Sequence, residues 1–117
     1  MTQPLATGAD AAMSDAELIE CVKAFRDEIL DGDSSFGRCA MVCWPLAGFL
    51  QFLGIGARIA ETPTIELSFC ITNHVFIVLD DGRVLDPTAD QFSTSRRKLP
   101  PVYLGKPLKR FHAAGAA

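Results

Sequence analysis

A chain of 117 residues has room for one domain, since a compact unit takes about 100–150 residues. With 49% of its residues hydrophobic it can pack one core and little more. A net charge of -3 is too small to draw nucleic acid or an anionic surface by charge alone, and no stretch reaches the roughly 18 consecutive apolar residues of a membrane-spanning helix.

Residues 1–13 are small and polar, with no basic n-region or apolar h-region, and read as a flexible tail rather than a secretory signal. The four cysteines are therefore expected as thiols in a reduced, cytoplasmic protein. Ser14-Asp15-Ala16-Glu17 fits a capping box, and Leu18, Val22, Phe25 and Ile29 follow at helical spacing. An amphipathic helix is thus predicted from Ser14 to about Leu30, ended by the turn residues Asp31 to Ser35.

The segment from Cys39 to Leu53 is apolar nearly all round, the mark of a buried helix. Pro45 lies inside it, so the helix either begins irregularly near Cys39 or becomes regular only from about Cys43. Gly54 closes it. Beyond Gly54 the pattern changes to short β-type runs at Ala57–Ala60, Glu66–Ile71, His74–Leu79, Arg83–Leu85 and Pro101–Leu104, with Asp80-Asp81-Gly82 as a hairpin turn. The basic residues Arg96, Arg97, Lys98, Lys106, Lys109 and Arg110 read as a solvated edge, and residues 113–117 as a second flexible tail. Helices followed by strands imply an α+β fold over residues 14–112: a buried helix carrying a cysteine, packed on a small antiparallel sheet.

Cys39 stands where the buried helix starts, and the unpaired amides and macrodipole there favour a thiolate. His74 opens a predicted strand and Asp86 ends the next. If the hairpin loop has three residues, Leu79 faces Arg83 and Phe76 faces Asp86, so His74 and Asp86 share one sheet face on a diagonal. A two-residue loop would put them on opposite faces. On that reading Phe76, Val78 and Val84 share the face of His74 and pack on the helix. Cys39, His74 and Asp86 then form a nucleophile, a base and an orienting carboxylate.

Cys43, followed by Trp44, is the rival nucleophile, with Pro45 then in a first turn. A zinc site from Cys39, Cys43, Cys70 and His74 is disfavoured, because residues four apart on an extended strand are roughly 13 Å apart. Cys21 and Cys70 read as core thiols, and His112 lies in the basic tail without a partner nearby in sequence.

Gly37-Arg38-Cys39, Gly54-Ile55-Gly56-Ala57-Arg58, Asn73-His74-Val75-Phe76 and Leu85-Asp86-Pro87-Thr88 stand in the order and spacing that resemble the core of the papain-like and transglutaminase-like superfamily. The stretches Asp86–Phe92 and Leu99–Gly105 are similar to small bacterial papain-like proteins. The usual proline is missing at Gly56, and Phe76 replaces a tryptophan. The resemblance implies a thiol enzyme acting through a thioester on a protein, peptide or small amide, with no cofactor and no metal. Hydrolysis is the preferred outcome; acyl transfer, an effector acting on a host protein, and a catalytically silent binding module are the alternatives. Ser35, Asn73 and Gln91 are candidates for the oxyanion donor beside the Cys39 amide, and Trp44 for a substrate groove.

Overall fold

The computed structural model describes residues 13–112. The expected tail residues before Met13 and after His112 lie outside them. The first helix, α1, spans Asp15–Leu30. Its capping box is complete: the Glu17 amide donates to Ser14 Oγ, and the Ser14 amide donates to the Glu17 carboxylate. Leu18, Val22 and Leu30 form its buried stripe, and Asp31 ends it in the left-handed conformation.

The second helix, α2, runs from Cys39 to Phe52, regular from the cysteine onward. Pro45 is accommodated because it and Met41, whose carbonyl it leaves without an amide partner, are both exposed. The opposite side buries Val42, Cys43, Leu46 and Leu50 completely. The end of α2 is a Schellman motif: the Ile55 amide donates to the Leu50 carbonyl and the Gly54 amide to that of Gln51. Gly54 supplies the positive φ this requires.

Four strands, β1 (Ala57–Glu66), β2 (Ile71–Leu79), β3 (Val84–Asp86) and β4 (Tyr103–Gly105), form an antiparallel sheet in sequence order. The described residues form an α+β domain with three α-helices; the third, α3, is the short Lys109–His112. The predicted strands are corrected in three places. β1 does not stop at Ala60: it continues through Pro63 by means of an irregularity between Thr62 and Ile65, which an edge strand tolerates because proline there costs no ladder bond. The predicted strand Glu66–Ile71 is instead a tight connection, with the Leu67 amide donating to the Cys70 carbonyl. β2 correspondingly starts three residues before His74.

The hairpin between β2 and β3 has the longer loop. Ile77 pairs with Leu85 and Val78 with Val84, while Leu79 and Arg83 close a loop of Asp80, Asp81 and Gly82. The same register places Phe76 opposite Asp86. One consequence differs from expectation. The sheet face that packs on α2 carries Val75, Ile77, Leu79 and Leu85, whereas Phe76, Val78 and Val84 lie on the other face with Ala60 and Tyr103. Side chains alternate along a strand, so His74 also belongs to the face away from the helix.

Candidate active site

Cys39 and His74 start on different sides of the sheet, and the shortness of β3 lets them meet. β3 pairs with β2 from Leu79 back to Ile77. Beyond that point the β3-facing edge of β2 is open, and the first turn of α2 fills it. The Val75 amide there donates to Cys39 Sγ at 3.4 Å, and the Cys43 thiol donates to the Val75 carbonyl at 3.5 Å. Gly37, at φ +75°, and Arg38 bring the chain into this position. Arg38 caps α2 without a side-chain acceptor, so the first amides of the helix remain available to an anion.

His74 is fully buried, with its ring edge-on to Phe92 at 4.7 Å. Its Nε2 bonds Asp86 Oδ2 at 2.6 Å. Nδ1 is left buried and without a hydrogen-bond partner of good geometry. After Asp86, the group that most strongly favours the charged ring is the Cys39 thiol, so Nδ1 is the nitrogen available to sulfur. Such contacts are often loose before substrate binds.

The ionisation shifts point the same way. Burial alone would push the Cys39 thiol up, but hydrogen bonds from His74 and the Val75 and Ala40 amides, with the charge of His74, bring it below its ordinary value. Burial would lower His74, yet the bonds to Asp86 and Cys39 raise it to about 9. Burial would likewise raise the Asp86 carboxyl, but hydrogen bonds from His112 and His74 outweigh it and hold it at about 2. A depressed thiol beside a raised imidazole is the signature of a thiolate–imidazolium pair.

Cys43 is the opposite case. It is fully enclosed, and burial, then the charges of Asp86 and Cys39, push its thiol well above the ordinary range. All four cysteines are free. Cys70 sits in the β1–β2 connection rather than in a strand.

The remaining candidates have other engagements. Ser35 is buried and donates to Asp90 Oδ1 at 2.6 Å, while Arg26 holds the other oxygen of Asp90. Gln91 donates to Thr88 Oγ1 and accepts from the Gly37 amide, tying the loop after Asp86 to the loop before Cys39. Asn73 donates to Glu61. The Ser35 hydroxyl and the side-chain amides of Asn73 and Gln91 thus each donate to a protein acceptor. Trp44 is 63% exposed; five residues along a helix place it about 140° round from Cys39, away from the thiol.

One member of the site was assigned to the basic tail on sequence: His112. β4 pairs with β3 with Asp86 opposite Tyr103, and the chain then returns so that His112 Nε2 meets Asp86 Oδ2 at 2.8 Å, fully buried. The available signal was that the chain has only two histidines, and that Phe111-His112 interrupts the basic run. His74, Asp86 and His112 bring possible metal ligand atoms within 4.8 Å of one another. The tautomer argues against a ligand set. The Leu108 amide donates to His112 Nδ1, so the proton resides on Nε2, the nitrogen a metal would need. The cluster is held by hydrogen bonds.

Comparison of the chain with protein-family models, curated proteins and solved structures returned no match. The functional reading therefore rests on the residues themselves.

Proposed function

We propose that the domain is a thiol hydrolase of the papain-like and transglutaminase-like kind, with Cys39 as nucleophile, His74 as general base and then acid, and Asp86 as its orienting carboxylate. The observation that carries this is the bond between His74 Nε2 and Asp86 Oδ2, which leaves the buried Nδ1 as the unpartnered nitrogen of the ring, together with a Cys39 thiol that is depressed and an imidazole that is raised, each by the other. The Cys39 thiolate attacks an acyl carbon, and the Cys39 amide donates to the oxyanion that forms. His74 delivers its proton to the leaving group and then takes one from water, which releases the acid from the thioester. An amine in place of water would give acyl transfer. Hydrolysis is favoured because water needs no second binding pocket in a domain of this size.

Iodoacetamide at pH 6, with the modified cysteine located by mass spectrometry, tests the pair directly. Alkylation is expected at Cys39 in preference to Cys21, Cys43 and Cys70, because an ordinary thiol of pKa about 8.5 is almost wholly protonated there. Equal labelling of accessible cysteines, or none, would refute the pair. Cys39→Ala should abolish hydrolysis of an activated ester or amide.

A further inference from the structure

Asp86 is an ionised group with no access to water. A buried carboxylate in such a place persists only if its lone pairs are satisfied. Oδ1 accepts the Thr88 amide at 3.0 Å, in the tight turn that follows β3. Oδ2 faces two imidazoles, His74 at 2.6 Å and His112 at 2.8 Å.

The two rings are held differently. The Leu108 amide donates to His112 Nδ1 at 2.9 Å, which fixes the proton on Nε2 and makes His112 a donor to Asp86 irrespective of the state of His74. Its position is over-determined: the ring stacks on Tyr103 at 5.8 Å and lies 4.8 Å from Phe76. The helix that carries it is tied to β1 by Thr62 Oγ1 donating to the Phe111 carbonyl and by Arg110 donating to that of Glu66. Nothing on this list reaches sulfur. His112 acts on Asp86.

We propose that His112 is a positioning residue of the thiol site: its fixed Nε2–H holds Asp86 Oδ2 turned toward His74, so that His74 can hold the proton that the thiol gives up. The proposal rests on the reading of Cys39, His74 and Asp86 given above. The hydrogen bond from His112 comes ahead of that from His74 in lowering the Asp86 carboxyl, as expected of a donor held by its own backbone contact. The ionisable groups that bear on Asp86 are His74 and His112, with the thiol of Cys43. Removing His112 leaves Asp86 ionised, since its carboxyl is held at about 2, but frees Oδ2 to turn away from His74; His74 becomes a weaker proton holder, and the thiolate needs a higher pH to form.

The test is the pH dependence of Cys39 alkylation by iodoacetamide in the full chain, for wild type, His112→Phe and His112→Gln. Phenylalanine keeps the ring stack and removes the donor; glutamine keeps an N–H at similar reach. His112→Phe should move the acid limb upward by about one pH unit, a roughly tenfold lower rate within the limb, the scale of one hydrogen bond to a charged group. His112→Gln should stay close to wild type. A folded His112→Phe with the wild-type limb, or a glutamine variant shifted as far as the phenylalanine one, overturns the proposal. If His112→Phe does not fold, the glutamine limb and nitrogen-15 imidazole spectra of the wild type decide. Nε2–H at His112 near neutral pH supports the proposal, and a proton on Nδ1 overturns it. A wild-type Cys39 with ordinary thiol reactivity removes the triad itself, whereas a normal wild-type limb unaffected by His112→Phe removes the role of His112 alone.

Discussion

On the sheet face that meets α2, Val75, Ile77, Leu79 and Leu85 close against Cys43, Leu46 and Leu50, and the contacts are apolar. On the opposite face Phe76, Val78 and Val84 make a smaller cluster, and beside it His74, Asp86, Thr88 and His112 are buried as deeply as any core residue. The first face gains stability from area removed from water. The second buries polar groups that each need a partner, and it gives them one another. The faces communicate where β3 is too short to cover Val75. There the same strand residue uses its amide for Cys39 and its carbonyl for Cys43. Two thiols one helical turn apart go in opposite directions: against its burial, Cys39 is depressed by His74 and by the Val75 and Ala40 amides, whereas burial and the charges of Asp86 and Cys39 raise Cys43.

The sharpest way to break the polar face is Asp86→Asn. An amide has one acceptor oxygen, and Asp86 uses both of its own, Oδ1 for the Thr88 amide and Oδ2 for two imidazoles. Whichever way the amide is turned, an N–H faces an N–H. With the NH2 toward the rings, His74 must put its proton on Nδ1, facing the thiol it should deprotonate. Steady-state hydrolysis should fall on the order of 10^4-fold, the scale of a wrong-tautomer base in other triads. A loss below tenfold in a folded variant would mean that Asp86 does not orient His74.

The apolar face should respond in stability instead. Leu46→Ala removes a fully buried side chain from the α2 side and should cost about 2–5 kcal/mol, read as a lower urea midpoint at unchanged slope. Folded Leu46→Ala should keep preferential alkylation of Cys39 at pH 6, because neither the Val75 amide nor Asp86 touches that side chain's role. Loss of the reactivity together with the stability would show that the two faces are one cooperative unit rather than a scaffold and a site.

What the sequence made legible follows the same division. Local signals were sufficient for α1, where Ser14 and Glu17 cap reciprocally, for the glycine end of α2, and for the place of the hairpin turn, though not for the choice between its two- and three-residue forms, which decides whether His74 and Asp86 share a face. Each depends on residues within a few positions of one another. The face that α2 covers depends on how a helix far back in the chain settles on the sheet, and alternation alone is symmetric between two faces that both carry large apolar side chains. The predicted end at Ala60 falls short of β1 because the irregular register that carries the strand past Pro63, and its edge position, are properties of the assembled sheet. His112 was hidden for the strongest reason: its partner Asp86 is 26 residues away, and its neighbours Lys109 and Arg110 are exposed, so its surroundings in sequence described the wrong side of α3.

The smallest effect concerns pH, and it separates the thiol from its base. His74 is raised to about 9 from an ordinary 6.5. Its contribution to folding is therefore complete below pH 6.5 and lost as pH rises through about 9. Asp86, lowered to about 2 from 3.8, contributes above pH 3.8 and is lost as pH falls toward 2. The pair of thiolate and imidazolium therefore has its upper limit where His74 loses its proton. Above pH 9 the thiolate survives but the proton on His74 does not. Alkylation of Cys39 needs only the thiolate and should stay level from pH 8 to 10. Hydrolysis needs the His74 proton for the leaving group and should fall about tenfold per unit once that proton is lost. The two profiles, measured on one preparation, should part company near pH 9. If they remain parallel, His74 is not the acid that serves the thiol, and the polar face has another purpose.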